Sequence, residues 1–239
     1  PCHKRQRKRA AQSLGPSNVF FRTDGVKMRP QSGQQWEAGV KTEFWDGRLR
    51  MTAAYFDLTK QNIAVPDPAN LTRLRPVGEA QTRGIELDIT GEILPGWQVI
   101  AAYSYLPFAK ITHDVADDGA GNPTAGGTGN RLFLAAKDSG SLWSTYECQD
   151  EALRGLKVGG GVVAVGERQG DVANTYQLAG YVTANLMASY QWHVGMTRLT
   201  AQLNVNNLFD VSHFAGSNAF DSAVFGMPRF FMGSIRMEF

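Results

Sequence analysis

The sequence predicts an all-β fold, an antiparallel transmembrane β-barrel segment of about nine strands with long loops at one end and short turns at the other. Three observations predict it: apolar and polar residues alternate from Gln34 onward, short and long breaks alternate along the chain, and aromatic residues lie near the strand ends. Strict alternation is typical of a strand with one apolar face. No segment has the periodicity of an amphipathic helix.

The composition excludes several other classes of protein. The 239 residues are 43% hydrophobic, 10% aromatic and 19% charged, with two cysteines. A disordered chain has few aromatic residues and a large net charge, and a disulfide scaffold is rich in cysteine, so neither class fits. The mean hydropathy of −0.27 argues against a polytopic helical membrane protein. Cys2 and Cys148 are not expected to pair.

The first twelve residues differ in charge from the rest of the chain. Five of the 24 basic residues lie at positions 4–9, and the remainder of the chain has 19 basic and 22 acidic residues. An apolar segment does not follow this basic stretch, which excludes a secretory signal peptide. A nucleic-acid-binding arm is an alternative. Because nothing downstream continues a basic surface, we predict that residues 1–12 form an atypical, disordered basic tip.

The first predicted strands form a hairpin. Apolar side chains such as Trp36 alternate with polar ones such as Glu37 over residues 34–44, and the alternation resumes over residues 49–55. Asp46-Gly47 stands between the two runs, and this dipeptide is a strong signal for a tight hairpin turn. The later strands follow the same rule, with the glycine-rich one the weakest. They are predicted near residues 85–90, 97–105, 142–147, 156–168, 181–190, 198–205 and 231–239.

The breaks between strands are of two alternating kinds. Short turns are predicted at residues 46–47, 94–96, 150–155 and 193–197, and long loops at residues 61–77, 110–130, 169–177 and 210–227. All long loops therefore lie at one end of the sheet. Transmembrane barrels have short periplasmic turns and longer extracellular loops, whereas a soluble β-sandwich has no reason to sort its connections.

The energetics of the bilayer decide which face meets lipid. A charged side chain facing lipid at mid-bilayer costs about 2–4 kcal/mol, so the polar faces are predicted to line a lumen. Aromatic residues near strand ends are typical of an interfacial belt. Packing at the edges of a soluble β-sandwich is the alternative reading of these aromatics. They are Trp36, Phe44, Trp97, Tyr105, Tyr146, Tyr190 and Trp192.

Four segments are similar to those of a known family. Residues 82–88 read Thr-Arg-Gly-Ile-Glu-Leu-Asp, and residues 203–210 read Leu-Asn-Val-Asn-Asn-Leu-Phe-Asp; the other two span residues 33–41 and 166–171. On these segments the chain from about Ser13 to Phe239 resembles the C-terminal barrel portion of TonB-dependent ferric-siderophore (ferrichrome-type) receptors of the outer membrane. Phe239, preceded at alternate positions by Phe231, Ile235 and Met237, resembles the assembly signal of outer-membrane barrels.

The resemblance implies a function and a set of partners. Such receptors have a 22-stranded barrel filled by an N-terminal plug, and they import ferric siderophores with energy from TonB. Residues 13–239 are then the C-terminal part of that barrel without its plug, a fragment not expected to function as an isolated chain. The implied partners are a ferric siderophore, TonB through the plug, the barrel-assembly machinery and outer-membrane lipid, without nucleic acid. Iron arrives inside its chelator, so no cofactor is expected.

The residues give no sign of an enzyme or a metal site. His3, His113, His193 and His213 are scattered, without the spacing of a zinc site. The glycine-rich segment 119–130 lacks the ending of a phosphate-binding loop. Residues 139–141 lack the surroundings of a nucleophilic serine. We therefore expect no catalytic residue and no metal ligand.

Ligand recognition is expected on the long-loop face, through basic and aromatic side chains. Ferric siderophores present flat surfaces and often carry negative charge, and by position alone the candidates are Arg73, Arg75, Arg168, Tyr176, His213 and Phe214. All six are also compatible with ordinary solvated loop residues. Two further functions stay open at this point: a small passive porin or outer-membrane hydrolase, favoured by the polar faces, and a soluble β-sandwich binding module.

Overall fold

A computed structural model describes residues 6–12, 31–67, 70–114, 116–117, 123–124, 127–218 and 222–239, with backbone alone at 6–12, 64–67, 70–77, 116–117 and 123–124. One short 3₁₀ turn spans Glu151–Leu153. The strands are β1 (Gln6–Gln12), β2 (Gln31–Phe44), β3 (Leu49–Asp67), β4 (Asn70–Leu94), β5 (Trp97–His113), β6 (Ala116–Asp117), β7 (Pro123–Thr124), β8 (Asp138–Glu147), β9 (Leu156–Val165), β10 (Arg168–Gln169), β11 (Gln177–Leu178), β12 (Tyr181–Val194), β13 (Thr197–Asn206), β14 (Phe214–Ser217), β15 (Ala223–Phe225) and β16 (Phe230–Glu238).

Ten of these strands form one antiparallel sheet. Its order is β1-β2-β3-β4-β5-β8-β9-β12-β13-β16, so each strand pairs with its nearest long neighbours along the chain. The pairs β6/β7, β10/β11 and β14/β15 are small hairpins within the long connections. All four predicted short turns are confirmed at the opposite end. Within the described ranges, no helix is long and apolar enough to cross a membrane.

The register separates the two faces of the sheet. Directly opposed residues of antiparallel strands lie on the same face, so rows of partners can be followed from strand to strand. One row is mostly apolar: Val40, Ala53, Leu87, Tyr103, Gly140, Ala164 and Val182. The adjacent row on the opposite face is mostly polar: Lys41, Thr52, Asp88, Ala102, Ser141, Val163 and Thr183. The predicted separation into an apolar face and a polar face is confirmed.

The basic tip is the first departure from the sequence prediction. Gln6–Gln12 form a strand that pairs with β2, from Gln6 opposite Glu37 to Gln12 opposite Gln31. The prediction of disorder is therefore wrong for Gln6–Gln12, which add a tenth strand to the nine predicted ones. Ladder hydrogen bonds use the backbone alone, so β2 can pair with a segment that shows no apolar alternation. Residues 1–5 lie outside the described part of the chain.

The predicted loop at residues 61–77 is the second departure. β3 continues to Asp67 and β4 begins at Asn70, and their ladder runs on through Ile63 opposite Val77 and Val65 opposite Arg75. Alternation is lost there, yet two strands already in register continue to exchange backbone hydrogen bonds. The connection is thus a long hairpin that extends beyond the neighbouring strands.

The buried core lies at the long-loop end of the sheet. Ile111 and Val172 are buried and pack together with Ile63, Leu132 and Phe133. These residues come from two strands and two long connections, so the loops fold over the end of the sheet. That arrangement brings distant parts of the chain into one assembly.

Candidate functional site at the long-loop end

Three long connections meet at this end of the sheet. We refer to them as the 127–137 loop, the 166–180 loop and the 207–229 loop; residues 219–221 of the last lie outside the described part of the chain. The 166–180 loop stands between the other two, and it forms hydrogen bonds with both. These loops contain four of the six residues predicted to contact ligand.

An asparagine side chain joins the 127–137 loop to the 166–180 loop. The Arg131 backbone N–H donates to Asn174 Oδ1 at 2.8 Å, and Asn174 Nδ2 donates to the Arg131 carbonyl at 2.9 Å. Asn174 has a φ of 60°, which asparagine tolerates better than most residues. The Leu134 N–H also donates to the Gln169 carbonyl at 2.9 Å. The side-chain amide therefore replaces a missing strand partner.

Two buried carboxylates shape the same loops. Asp171 accepts hydrogen bonds from the Thr175 N–H at 2.8 Å and from Thr175 Oγ1 at 2.6 Å. Asp114 accepts one from the Gly127 N–H at 2.7 Å. Burying an ionised carboxylate is costly unless it is hydrogen-bonded. The two aspartates therefore stabilise the turns around them.

The Arg131 guanidinium points at the main chain. Arg131 Nε donates to the Ala135 carbonyl at 3.0 Å, and Arg131 Nη2 donates to the Leu106 carbonyl at 2.8 Å. Burial lowers the pKa of Arg131 from its ordinary value, and the Asp138 carboxylate acts in the opposite direction. An arginine remains charged under such a shift. Arg131 thus keeps a positive charge within the 127–137 loop while it holds the carbonyls of Ala135 and Leu106 in place.

Arg168 joins the 166–180 loop to the 207–229 loop. Its side chain is buried; Nη2 donates to the Phe214 carbonyl at 2.6 Å and Nη1 to the Ala215 carbonyl at 3.1 Å. The guanidinium carbon lies 5.4 Å from the centroid of the Tyr181 ring, a cation–π contact. The His213 ring lies 4.2 Å from the same Tyr181 ring. Arg168 and His213 therefore share one aromatic neighbour.

The remaining predicted residues join the same cluster. The Tyr176 hydroxyl lies 2.8 Å from Ser217 Oγ, and Ser217 Oγ also donates to the Gly170 carbonyl. The Phe214 ring packs at 5.0 Å on Phe225. His213 Nδ1 lies 3.0 Å from the Val211 carbonyl, the geometry of a donating N–H. These contacts give each side chain a defined place in the loop assembly.

The structure brings four predicted residues together and leaves two undescribed. Arg168, Tyr176, His213 and Phe214 form one cluster, although the sequence suggested them one by one. Arg73 and Arg75 fall in residues 70–77 of β4, where only the backbone is described, so that part of the prediction lies outside the described side chains. Contact between any of the six and a ligand stays a prediction. Among the described residues, no cluster of three or more His, Cys, Asp or Glu is arranged for a metal ion.

Asn207 is a structural residue to which the sequence assigned no role. Asn207 Oδ1 accepts from the Val211 N–H at 2.9 Å, and Nδ2 donates to the carbonyls of Val211 at 3.0 Å and Met227 at 3.1 Å. Its own N–H donates to Asn185 Oδ1 at 2.9 Å, and its φ is 51°. It therefore closes the base of the 207–229 loop. The signal in the sequence is two adjacent asparagines at the end of a strand.

The lumen face carries an acidic recess farther along the sheet. A concavity of about 400 Å³ is lined by Glu86 and Asp88 of β4, together with small residues such as Ala102, Ser104 and Ser141. The two carboxylates stand on the polar face that the register defines. The recess thus combines negative charge with open space on the polar face of the sheet.

The predicted assembly signal forms the end strand of the sheet. In β16, Phe231 faces Val205, Ile235 faces Ala201 and Met237 faces Leu199, all on the apolar side. These three residues and Phe239 are exposed. Recognition by the assembly machinery stays a prediction.

An antiparallel sheet with an apolar outer face, a polar inner face and its long loops gathered at one end is the wall of a transmembrane β-barrel. Residues 9–208 match the family described as "TonB dependent receptor-like, beta-barrel". The chain belongs to this family.

Known relatives and solved structures agree with this assignment. The metal-pseudopaline receptor CntO of Pseudomonas aeruginosa is 36% identical over 196 residues, which cover 81% of this chain and 26% of that protein. The ferrichrome outer membrane transporter/phage receptor of Escherichia coli K12 is 31% identical over 206 residues, 86% of this chain and 26% of that protein. The crystal structure of the siderophore receptor PiuA from Acinetobacter baumannii aligns with a TM-score of 0.77 at 29% identity, covering 98% of this chain and 33% of that chain. The chain thus spans about a quarter to a third of the length of these proteins.

Proposed function

We propose that this chain forms the C-terminal barrel wall of an outer-membrane active transporter that takes up ferric siderophores with energy derived from TonB. The observation that carries the proposal is the loop cluster of Arg168, Tyr176, His213 and Phe214 at the long-loop end of a two-faced barrel sheet. The aromatic rings of Tyr176, His213 and Phe214, with the charge of the Arg168 guanidinium behind them, suit a flat, often anionic chelate. The names of the relatives, receptors for ferrichrome and for metal-pseudopaline, support the same class of ligand.

The lumen face supports transport through a filled barrel. The recess beside Glu86 and Asp88 can accept basic side chains of a folded segment in the lumen. A plug of that kind is what the family resemblance implies, and TonB is expected to act on it. Iron bound inside a chelator needs no protein ligands, so the chain can serve transport without a metal site of its own.

The experiment is a chimera. Residues 31–239 replace the matching part of the Escherichia coli ferrichrome transporter, and the chimera is expressed in a strain that lacks its own siderophore receptors. We expect TonB-dependent uptake of radiolabelled iron from at least one member of a panel of hydroxamate, catecholate and mixed siderophores. Deletion of TonB serves as the control.

Two outcomes contradict the proposal. A chimera that reaches the cell surface and folds, yet takes up iron from none of the panel, would sink it. Passage of small solutes that continues without TonB would instead indicate a passive pore, in line with the polar inner face of the sheet.

A further inference from the structure

The hairpin β14/β15 is held by side chains from another loop. It pairs only with itself in the described strands and does not join the ten-stranded sheet. Arg168 lies 46 residues before Phe214, and its two Nη groups donate to the consecutive carbonyls of Phe214 and Ala215. Arginine is suited to this geometry because its planar guanidinium presents several donors in a fixed fork. One side chain thus fixes two points of β14.

A second connection joins the same two segments. Ser217, at the end of β14, donates to the Gly170 carbonyl and lies 2.8 Å from the Tyr176 hydroxyl. Gly170 and Tyr176 flank the turn of the 166–180 loop, and the Gly170 N–H donates to the Tyr176 carbonyl at 2.9 Å. A side chain at Gly170 has no space, because its Cβ would lie 1.9 Å from the Tyr176 ring. The turn of the 166–180 loop is therefore tightly packed on itself, and Ser217 of β14 hydrogen-bonds to it.

These connections determine where two candidate ligand residues stand. Phe214 provides one of the carbonyls that Arg168 holds, and His213 directly precedes it. The His213 ring lies against Tyr181, which also carries the Arg168 guanidinium. Gly226 follows β15, and its N–H donates to the His213 carbonyl at 2.8 Å. A shift of Arg168 would therefore move His213, Phe214 and the hairpin together.

We propose that Arg168 is a positioning residue for ligand binding, which couples the 166–180 loop to the β14/β15 hairpin so that the two move as one unit. The sequence suggested Arg168 as a ligand contact, whereas its buried guanidinium donates to the main chain of the hairpin. Removing it leaves two carbonyls without their charged donor, which destabilises the docked hairpin. The ligand in this inference rests on the proposed function, but the coupling of the loops does not.

The test uses the chimera described above in its folded, detergent-purified form. The variants are Arg168→Gln, Arg168→Lys and Ser217→Ala, and Arg154→Gln in an exposed short turn is the matched control. Two quantities are measured: hydrogen exchange without ligand for peptides covering residues 211–218 and 222–226, and the dissociation constant of the siderophore that the parent chimera transports. Folding of each variant is checked by its mobility on an unheated gel.

We expect Arg168→Gln to raise hydrogen exchange in the hairpin by about tenfold or more and to weaken binding by a similar factor, while peptides of β12 and β13 stay unchanged. Arg168→Lys should show nearly the same changes in exchange and binding as Arg168→Gln, because an ammonium group is a compact point charge that lacks the planar fork of donors. Ser217→Ala should raise exchange by a smaller factor, and it remains informative if Arg168→Gln does not fold. Arg154→Gln should change neither quantity.

The outcomes separate the inference from the proposed function. Unchanged exchange in both Arg168→Gln and Ser217→Ala would overturn the coupling, whatever the binding result. Raised exchange with an unchanged dissociation constant would overturn the positioning role. Raised exchange in a chimera whose parent binds no siderophore would support the coupling and contradict the proposed function.

Discussion

The sheet and the loop assembly hold their shapes by different means. In the sheet, the backbone groups away from the two edges pair with neighbouring strands, and the side chains only have to suit lipid on one face and a polar lumen on the other. In the loop assembly, individual side chains such as Arg168, Asn174 and Asn207 complete the hydrogen bonds of the backbone. A substitution in the sheet therefore acts through its face, whereas one in the loops acts through a specific partner.

The isolated 239-residue chain tests the sheet alone and should show the largest effect. β1 and β16 end the sheet, and each edge exposes on the order of five unpaired backbone groups, each costing several kcal/mol in a bilayer. The sum exceeds the roughly 5–15 kcal/mol of a typical fold. We expect the chain to aggregate or to pair with strands of other chains, as measured by light scattering in detergent. A monomer that migrates faster unheated than boiled would contradict this.

Deletion of Phe239 in the chimera tests the end of the sheet and should rank second. The exposed apolar residues of β16 and Phe239 are expected to be read by the assembly machinery through strand addition, in which backbone bonds give affinity and alternate side chains give specificity. Surface levels measured with an antibody should fall sharply. Met196→Ala, in an exposed short turn, is the control and should leave them unchanged. Equal surface levels in both variants would refute the assembly signal.

A charge on the lipid face tests the division between the two faces. Leu142→Arg places a guanidinium on the apolar side of β8, at a cost of about 2–4 kcal/mol near mid-bilayer. Ser141→Arg, one residue away on the lumen side, is the matched control. Urea unfolding of the chimera in lipid vesicles should show a large loss in the free energy of unfolding for Leu142→Arg and a small one for Ser141→Arg. Equal losses would mean that the faces are assigned incorrectly.

Asn207→Ala tests the loop assembly. Alanine removes three side-chain hydrogen bonds at a position with a φ of 51°, and we expect a loss of about 2–3 kcal/mol, measured as faster exchange at the base of the 207–229 loop. Asn204→Ala, three residues earlier in β13, should have a much smaller effect. If both variants behave alike, side-chain hydrogen bonds do not hold this loop.

Arg83→Gln should have the smallest effect. Arg83 lies in β4, in the part of the sheet next to the loop assembly. Arg83 Nε lies 3.0 Å from Asp57 Oδ2, and the guanidinium lies 4.8 Å from the Phe108 ring, but the arginine side chain is partly exposed. Exposed ion pairs contribute about 0–1 kcal/mol. The midpoint of urea unfolding should therefore shift only slightly. A loss as large as that of Asn207→Ala would show that this pair supports the loops from the sheet.

The same contrast explains what the sequence could predict. The strands and short turns follow from alternation and from turn residues such as Asp46-Gly47, and these predictions are confirmed. The sequence did not predict strand β1 or the part of the β3/β4 hairpin beyond Ile63 and Val77. The backbone hydrogen bonds of a ladder need no side-chain pattern, so these segments carry no signal in the sequence. The site residues could be suggested by type and position. Their contacts could not, since the Arg131–Asn174 bonds join residues 43 positions apart and leave no local signal.

The interlocked loops limit how barrels of this family can be re-engineered. A segment exchanged between two receptors must bring its own hydrogen-bond partners, and here the partners of the 166–180 loop lie in both other loops. If residues 166–180 alone were replaced, the Phe214 and Ala215 carbonyls would lose the donors of Arg168, and the Arg131 backbone N–H would lose its acceptor on Asn174. A change of specificity by loop transplantation therefore requires that all three connections be transferred together.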